Sequence, residues 1–156
     1  VLYAVPAINP DVAIVHAQRA DADGKTLVWG VTGVQREAAF GAKRVIVTVE
    51  EIVPGEVIRA DPNRTLIPGL IVSAVCQVPY GAHPSYAQGY YDRDTDFYVQ
   101  WDEISRDPER LDRWLGEWVE LIPSREAYVV KLGGERLESL RPAPYYSEPV
   151  NYGHYR

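Results

Sequence analysis

Asp11-Val12-Ala13-Ile14-Val15-His16-Ala17 and Val45-Ile46-Val47-Thr48-Val49 are two short, nearly continuous apolar runs rich in β-branched residues, and the fold turns on what joins them. Runs of this kind suit strands buried on both faces of a sheet. After the first run, Asp21, Asp23 and Gly24 mark a turn, and Leu27-Val28-Trp29-Gly30 follows. The stretch Val34 to Arg44 then holds the helix formers Gln35, Arg36, Glu37, Ala38 and Ala39, with a small apolar face able to lie on a sheet. Strand, helix and strand at this spacing predict a βαβ crossover. That implies an α/β fold with an open, mostly parallel sheet, flanking helices and a right-handed connection.

Beyond the second strand, Pro54, Gly55, Asp61, Pro62, Pro68 and Gly69 predict a long irregular connection with at most one helical turn. A third buried strand is expected over Leu70 to Val78. It runs into Tyr80-Gly81-Ala82-His83-Pro84-Ser85 and Gly89-Tyr90-Tyr91-Asp92-Arg93-Asp94, a mixture of glycine, proline, histidine, serine and aromatics that a core does not require. Such residues on a turn are the material of binding sites, so the run predicts a site-forming loop. The clearest helix spans Asp107 to Leu121. Asp107 is placed to cap it, Pro108 stands at its first position, and Leu111, Trp114, Leu115, Trp118 and Val119 recur at helical spacing to anchor it. Ser124 begins a shorter helix that Gly133-Gly134 ends. Residues 1–141 are expected to form one domain, and the Tyr- and Pro-rich tail over 142–156 to pack on that domain or on a partner.

Composition narrows the function classes. The formal charge of -6 leaves no basic surface to neutralise phosphates, which argues against nucleic acid and anionic membrane as partners. The longest apolar run, Leu66 to Val78, is interrupted by Pro68, Gly69, Ser73 and Gln77, and is shorter than the ~20 residues of a membrane helix. A single cysteine, Cys76, excludes an internal disulfide, and a reducing cytoplasm is the expected location. Cys76 itself is expected to be buried and inert. The chain contains no methionine and begins at Val1, so upstream sequence is expected.

Several constellations carry possible chemistry. Glu50 and Glu51 follow the second strand at the edge where open α/β sheets hold ligands. Adjacent carboxylates on an extended segment face opposite ways, so one can serve a cleft while the other pairs with an arginine. His16 and Gln18 end the first strand at the same edge. His83 and Ser85 suggest nucleophilic chemistry, but Pro84 between them sets the imidazole badly for taking the hydroxyl proton, and a turn-stabilising pair is expected instead. Asp92, Asp94, Asp96 and Glu103 match positions 1, 3, 5 and 12 of a calcium loop, yet Phe97 stands where the sharp turn requires glycine. A solvated acidic turn is therefore expected, and no metal site. No G-x-G-x-x-G, P-loop or G-x-S-x-G pattern is present.

An ordered series of residues resembles one family. Asp11 to Gln18, Asp23-Gly24, Trp29-Gly30, Ala38-Ala39, Val47-Thr48-Val49-Glu50-Glu51-Ile52, Asp61-Pro62, Ile67-Pro68-Gly69, Pro79 to Ser85, Gly89-Tyr90-Tyr91-Asp92, Glu117-Trp118-Val119 and Lys131-Leu132-Gly133 together resemble the C-terminal half of the A (alpha) subunit of family I CoA-transferases of the glutaconate type. The resemblance implies a CoA-transferase-like sheet, a heteromer of A and B subunits, and transfer of CoA between an acyl-CoA and a small mono- or dicarboxylic acid. The nucleophile in that family is a glutamate of the B subunit, so Glu50 and Glu51 do not inherit its role. The resemblance further implies no permanently bound cofactor, with the coenzyme A thioester as substrate. Candidates for the walls of the shared cleft are His16, Gln18, Glu50, Glu51, Gly81, His83 and Ser85. The family's glycine-rich N-terminal half has no counterpart here, so the fold is expected to be incomplete, and the chain inactive, without it. Two alternatives stay open: a CoA-thioester hydrolase of the same fold that opens rings, and a non-catalytic interaction module.

Overall fold

The computed structural model describes residues 2–142, so all but the first residue of the Tyr- and Pro-rich tail lies outside the described residues. The chain divides into two compact units, one ending at Gly81 and the other beginning at Ala82. The expectation of one domain over residues 1–141 therefore meets two units, each with its own framework.

The first unit is built on a five-stranded sheet. The two apolar runs form β1 (Val12–Ala20) and β3 (Arg44–Ile52), and the third predicted strand forms β5 (Val72–Gln77). β1 pairs parallel with β3, and β3 parallel with β5, as the crossover requires. The helix between the first two is α1 (Gln35–Gly41). Two short strands complete the sheet, β2 (Thr26–Leu27) and β4 (Thr65–Ile67), in the order β4-β2-β1-β3-β5. Both pair antiparallel, so the sheet is mixed, with its long central strands parallel. These strands were illegible because two or three residues carry no period. The irregular connection contains one short α-helix, α2 (Gly55–Ala60), whose Ile58 is buried, and single 3-10 turns at Pro62–Arg64 and Gly69–Ile71.

Period-two alternation explains the core. Val15 and Ala17 of β1, with Val45, Val47 and Val49 of β3, point to one face, where Ala39 of α1 and Ile67 of β4 pack with them. Val47 and Val49 are fully buried, each contributing about 1.5–3 kcal/mol of apolar burial. The opposite face is different. Ile14 is 70% exposed and Val12 45%, and most of β5 faces out as the sheet's edge strand. The strands predicted to be buried on both faces are thus covered on one. For the same reason Cys76, expected inside a buried strand, is exposed.

The second unit is helical, comprising α3 (Thr95–Arg106), α4 (Pro108–Leu115), α5 (Arg125–Leu132) and α6 (Gly134–Ser139). Asp107 caps α4, its carboxylate accepting from the Glu109 and Arg110 amides, and Pro108 opens the helix as expected. The single helix predicted to Leu121 ends at Leu115, and Gly116–Glu120 forms one wider π turn. Ser124 caps α5, and Gly133, at φ 85°, ends it. Helix α3 was not foreseen, because its acidic residues were read as a turn. Its Phe97 stacks on Trp101, which meets Trp114 edge-on at 4.9 Å between ring centres; Trp114 stacks on Trp118, and Trp118 reaches Tyr128. The two predicted anchors therefore bind α4 to other half-buried rings and not to an aliphatic core.

Candidate functional site

The exposed face of the first unit's sheet turns polar towards its carboxyl end. His16 lies opposite Thr48 in register, and Glu50 follows two residues on, so all three side chains share that face. The His16 Nδ1 lies 2.9 Å from Thr48 Oγ1, and its Nε2 lies 2.7 Å from Glu50 Oε1. Glu50 is buried, and the turn after β5 closes on it. The Tyr80 amide donates to Oε2 at 2.8 Å, and the Gly81 amide to Oε1 at 3.2 Å. Tyr80 adopts φ 57°, a left-handed conformation that brings successive amides to one side as an anion-binding nest. Glycine at 81 is a steric requirement here. A Cβ would fall on the His16 ring and within 2.8 Å of the Val78 carbonyl oxygen.

Glu51 faces the other way and pairs with Arg19 at 2.9 Å, matching the expected division of the two carboxylates. Gln18 is buried and clamps Trp29, its Nε2 donating to the Trp29 carbonyl at 3.0 Å and its Oε1 accepting from the Trp29 amide at 3.4 Å. His16, Glu50 and Gly81 thus come together, whereas Gln18 and Glu51 each serve a separate partner.

The predicted loop divides after Gly81, and its remaining candidates belong to the second unit. His83 is buried, with Nδ1 2.7 Å from the Tyr128 hydroxyl and Nε2 2.9 Å from Asp94 Oδ2. Both ring nitrogens are engaged, and neither serves Ser85, so the expected turn-stabilising pair of His83 and Ser85 is replaced by partners 45 and 11 residues away. Arg136 grips both Asp94 oxygens, at 2.6 and 2.7 Å, and the Phe97 amide donates to Oδ1 at 3.0 Å, capping α3. Burial alone would push the Asp94 carboxyl up, but these donors from His83, Arg136 and Phe97 outweigh it and hold the group well below the usual carboxylate range. Burial pushes the Tyr128 phenol up. The acidic spacing that imitates a calcium loop is accounted for differently: Asp94 is a helix cap, and Asp96 and Glu103 lie within α3. Among the described residues, no group of three His, Cys, Asp or Glu side chains could hold a metal ion. No helix among them is long and apolar enough to cross a membrane.

Thr48, Tyr80, Tyr128 and Arg136 complete these networks and were absent from the cleft candidates, and Asp94 stood out in the sequence only as part of a calcium-loop pattern. For Thr48 the signal was available, since it interrupts an otherwise aliphatic strand and shares the period of Glu50. Arg136 and Tyr128 carried none, because only the packing of α5 and α6 brings them to Asp94 and His83.

Comparison with known proteins places this framework. The family model for coenzyme A transferases matches residues 2–77. The chain is 53% identical over 118 residues to the A subunit of 3-oxoadipate CoA-transferase from Pseudomonas knackmussii, covering 76% of this chain and 41% of that one. It is 44% identical over 141 residues to the A subunit of glutaconate CoA-transferase from Acidaminococcus fermentans, covering 90% and 44%. The crystal structure of that glutaconate coenzyme A-transferase superposes with a TM-score of 0.85 over 90% of this chain and 44% of the matched chain. A more distant relative, at 29% identity over 76% of the chain and 41% of its own length, is the IpdA subunit of the cholesterol ring-cleaving hydrolase from Rhodococcus jostii. The chain thus spans less than half the length of these relatives. On sequence and fold together, it belongs to the coenzyme A transferase family and is of the A-subunit type.

Proposed function

We propose that this chain is part of the A subunit of a CoA-transferase that moves CoA between an acyl-CoA and a small dicarboxylic acid, with the nucleophilic glutamate supplied by a B subunit. The observation that carries this reading is the state of Glu50. It is the buried carboxylate at the carboxyl edge of the sheet, and His16 and two backbone amides already bind it. A nucleophile must present an oxygen to the thioester carbonyl, and both Glu50 oxygens are already engaged by its own framework. The chain therefore shapes a cleft and leaves the covalent chemistry to its partner.

In the proposed reaction, a carboxylate oxygen of the partner glutamate attacks the thioester carbonyl and expels CoA thiolate, leaving an acyl-glutamyl anhydride. The thiolate then attacks the glutamyl carbonyl and releases the donor's carboxylate. The acceptor carboxylate attacks the resulting glutamyl thioester, freeing the thiolate again, and the thiolate takes the new acyl group and restores the glutamate. Each step exchanges one activated acyl bond for another, so no permanently bound cofactor is needed. The two transferase relatives act, by name, with dicarboxylic acids, which supports that substrate class.

The uncovered sheet face supports a larger assembly. Parallel sheets carry layers on both faces, and exposed Ile14 and Val12 leave one layer to be supplied. The proposed partners are the remaining part of the A subunit and a complete B subunit, in a hetero-oligomer located in the cytoplasm. The hydrolase reading is weaker on identity, since the ring-cleaving relative is far more distant than the transferases.

The test uses the natural polypeptide carrying this chain, purified with its B partner. Release of CoA from an acyl-CoA should require an added dicarboxylic acid, with stoichiometric appearance of the new thioester. Release at the same rate without an acceptor would replace this reading with the hydrolase.

A further inference from the structure

Three donors converge on Glu50: the His16 Nε2, the Tyr80 amide and the Gly81 amide. From this convergence we infer that Glu50 is a positioning residue, the internal ligand of a backbone nest, which with His16 sets the shape of the turn over residues 78–81 as a wall of the acid-binding cleft. This inference rests on the transferase reading above.

Backbone bonds alone do not fix the turn. The Val78 amide donates to Val49, and the Gly81 amide shares its proton between the Val78 carbonyl, at 3.0 Å, and Glu50. Pro79 has no amide to give. The left-handed Tyr80 is a conformation that a non-glycine residue holds only when its surroundings impose it, and the short bond from its amide to Glu50 is such a restraint. His16 acts on the same turn twice. It fixes the carboxylate through Nε2, and its ring occupies the space a side chain at 81 would need. Thr48, bonded to Nδ1, holds the ring at the required angle.

The Tyr80 and Gly81 amides can only donate, so both Glu50 oxygens act as acceptors for the turn, and His16 completes the set through Nε2 with Thr48 Oγ1 at its Nδ1. Glutamine cannot substitute for this carboxylate, because its single carbonyl oxygen leaves an NH2 group facing the remaining donor. The turn amides are directed at Glu50 and away from any charge that develops on a substrate. What the turn contributes is shape, which substrate and transition state feel alike. Losing such uniform binding raises KM and leaves kcat in place.

The test is Glu50→Gln in the complete A and B enzyme, with hydrogen exchange of the 78–81 peptide and steady-state kinetics measured together. Exchange at Tyr80 and Gly81 should accelerate at least about 10-fold. The KM for the acceptor acid should rise about 10-fold, with kcat within twofold and the subunits still assembled. Should Glu50→Gln fail to assemble, His16→Ala is measured in its place, with the same two expectations at smaller amplitude. Unchanged exchange would overturn the clamp. Faster exchange with unaltered KM, or a loss confined to kcat, would overturn the positioning role. Failure of the transferase reading shows separately, as wild-type enzyme that releases CoA without an acceptor.

Discussion

Asp94 shows how one buried side chain can organise a whole unit. It caps α3, receives Arg136 on both oxygens and holds the His83 ring, whose other nitrogen reaches Tyr128. Removing its charge leaves the half-buried Arg136 without its buried carboxylate partner, so Asp94→Asn should lower stability at neutral pH by about 2 kcal/mol, the scale of a lost charge-assisted hydrogen bond. The pH dependence has a definite sign. The folded carboxyl titrates below its unfolded value. Its contribution is therefore complete above the unfolded pKa, near pH 4, and is lost as pH falls towards the folded value. Urea midpoints measured downwards from pH 5 should drop more steeply for the wild type than for Asp94→Asn. Parallel curves would show that the network contributes nothing. At this scale the sequence was partly legible. Adjacent Glu50 and Glu51 had to face opposite ways by the geometry of an extended chain, and Arg19 indeed takes the outer one. His83 was legible as unusual, but its partners are distant in sequence, and local spacing suggested Ser85 instead.

Among elements, those with a long period or a complete set of end signals were read correctly. β1, β3 and α1 follow from their apolar runs and the helix formers between them. α4 follows from Asp107, Pro108 and its spaced aromatics. Asp107→Ala should cost about 1 kcal/mol, seen as a lower melting temperature with unchanged m-value, because two orphan amides lose their acceptor. No change in melting temperature would mean that tertiary packing alone holds this helix. α3 was missed although Phe97, Trp101 and Ile104 repeat at helical spacing, because the acidic residues interleaved with them imitate a metal loop. β5 was placed correctly but its environment was not. An apolar run indicates a strand able to be buried, and whether anything covers it depends on chain that lies elsewhere. The exposure of Cys76 has the same origin.

At the scale of the molecule, the first unit is a sheet with one finished face and one open face, and the polar cluster of His16, Thr48 and Glu50 stands at the carboxyl end of the open one. In the proposed function this cluster lines a cleft whose nucleophile a partner supplies. Its family was legible in the ordered series of short motifs, while the division into two units was not, since the Pro- and Gly-containing run across Gly81 was read as a site-forming loop and not as a boundary. The central claim is that this chain shapes the site while a partner glutamate does the covalent work. The direct measurement is peptide mass spectrometry of the assembled enzyme, quenched after mixing with an acyl-CoA in the absence of acceptor. A CoA adduct is expected on one glutamate of the partner chain and none on this chain. A CoA adduct on Glu50, Glu51 or any other carboxylate of this chain would contradict the claim.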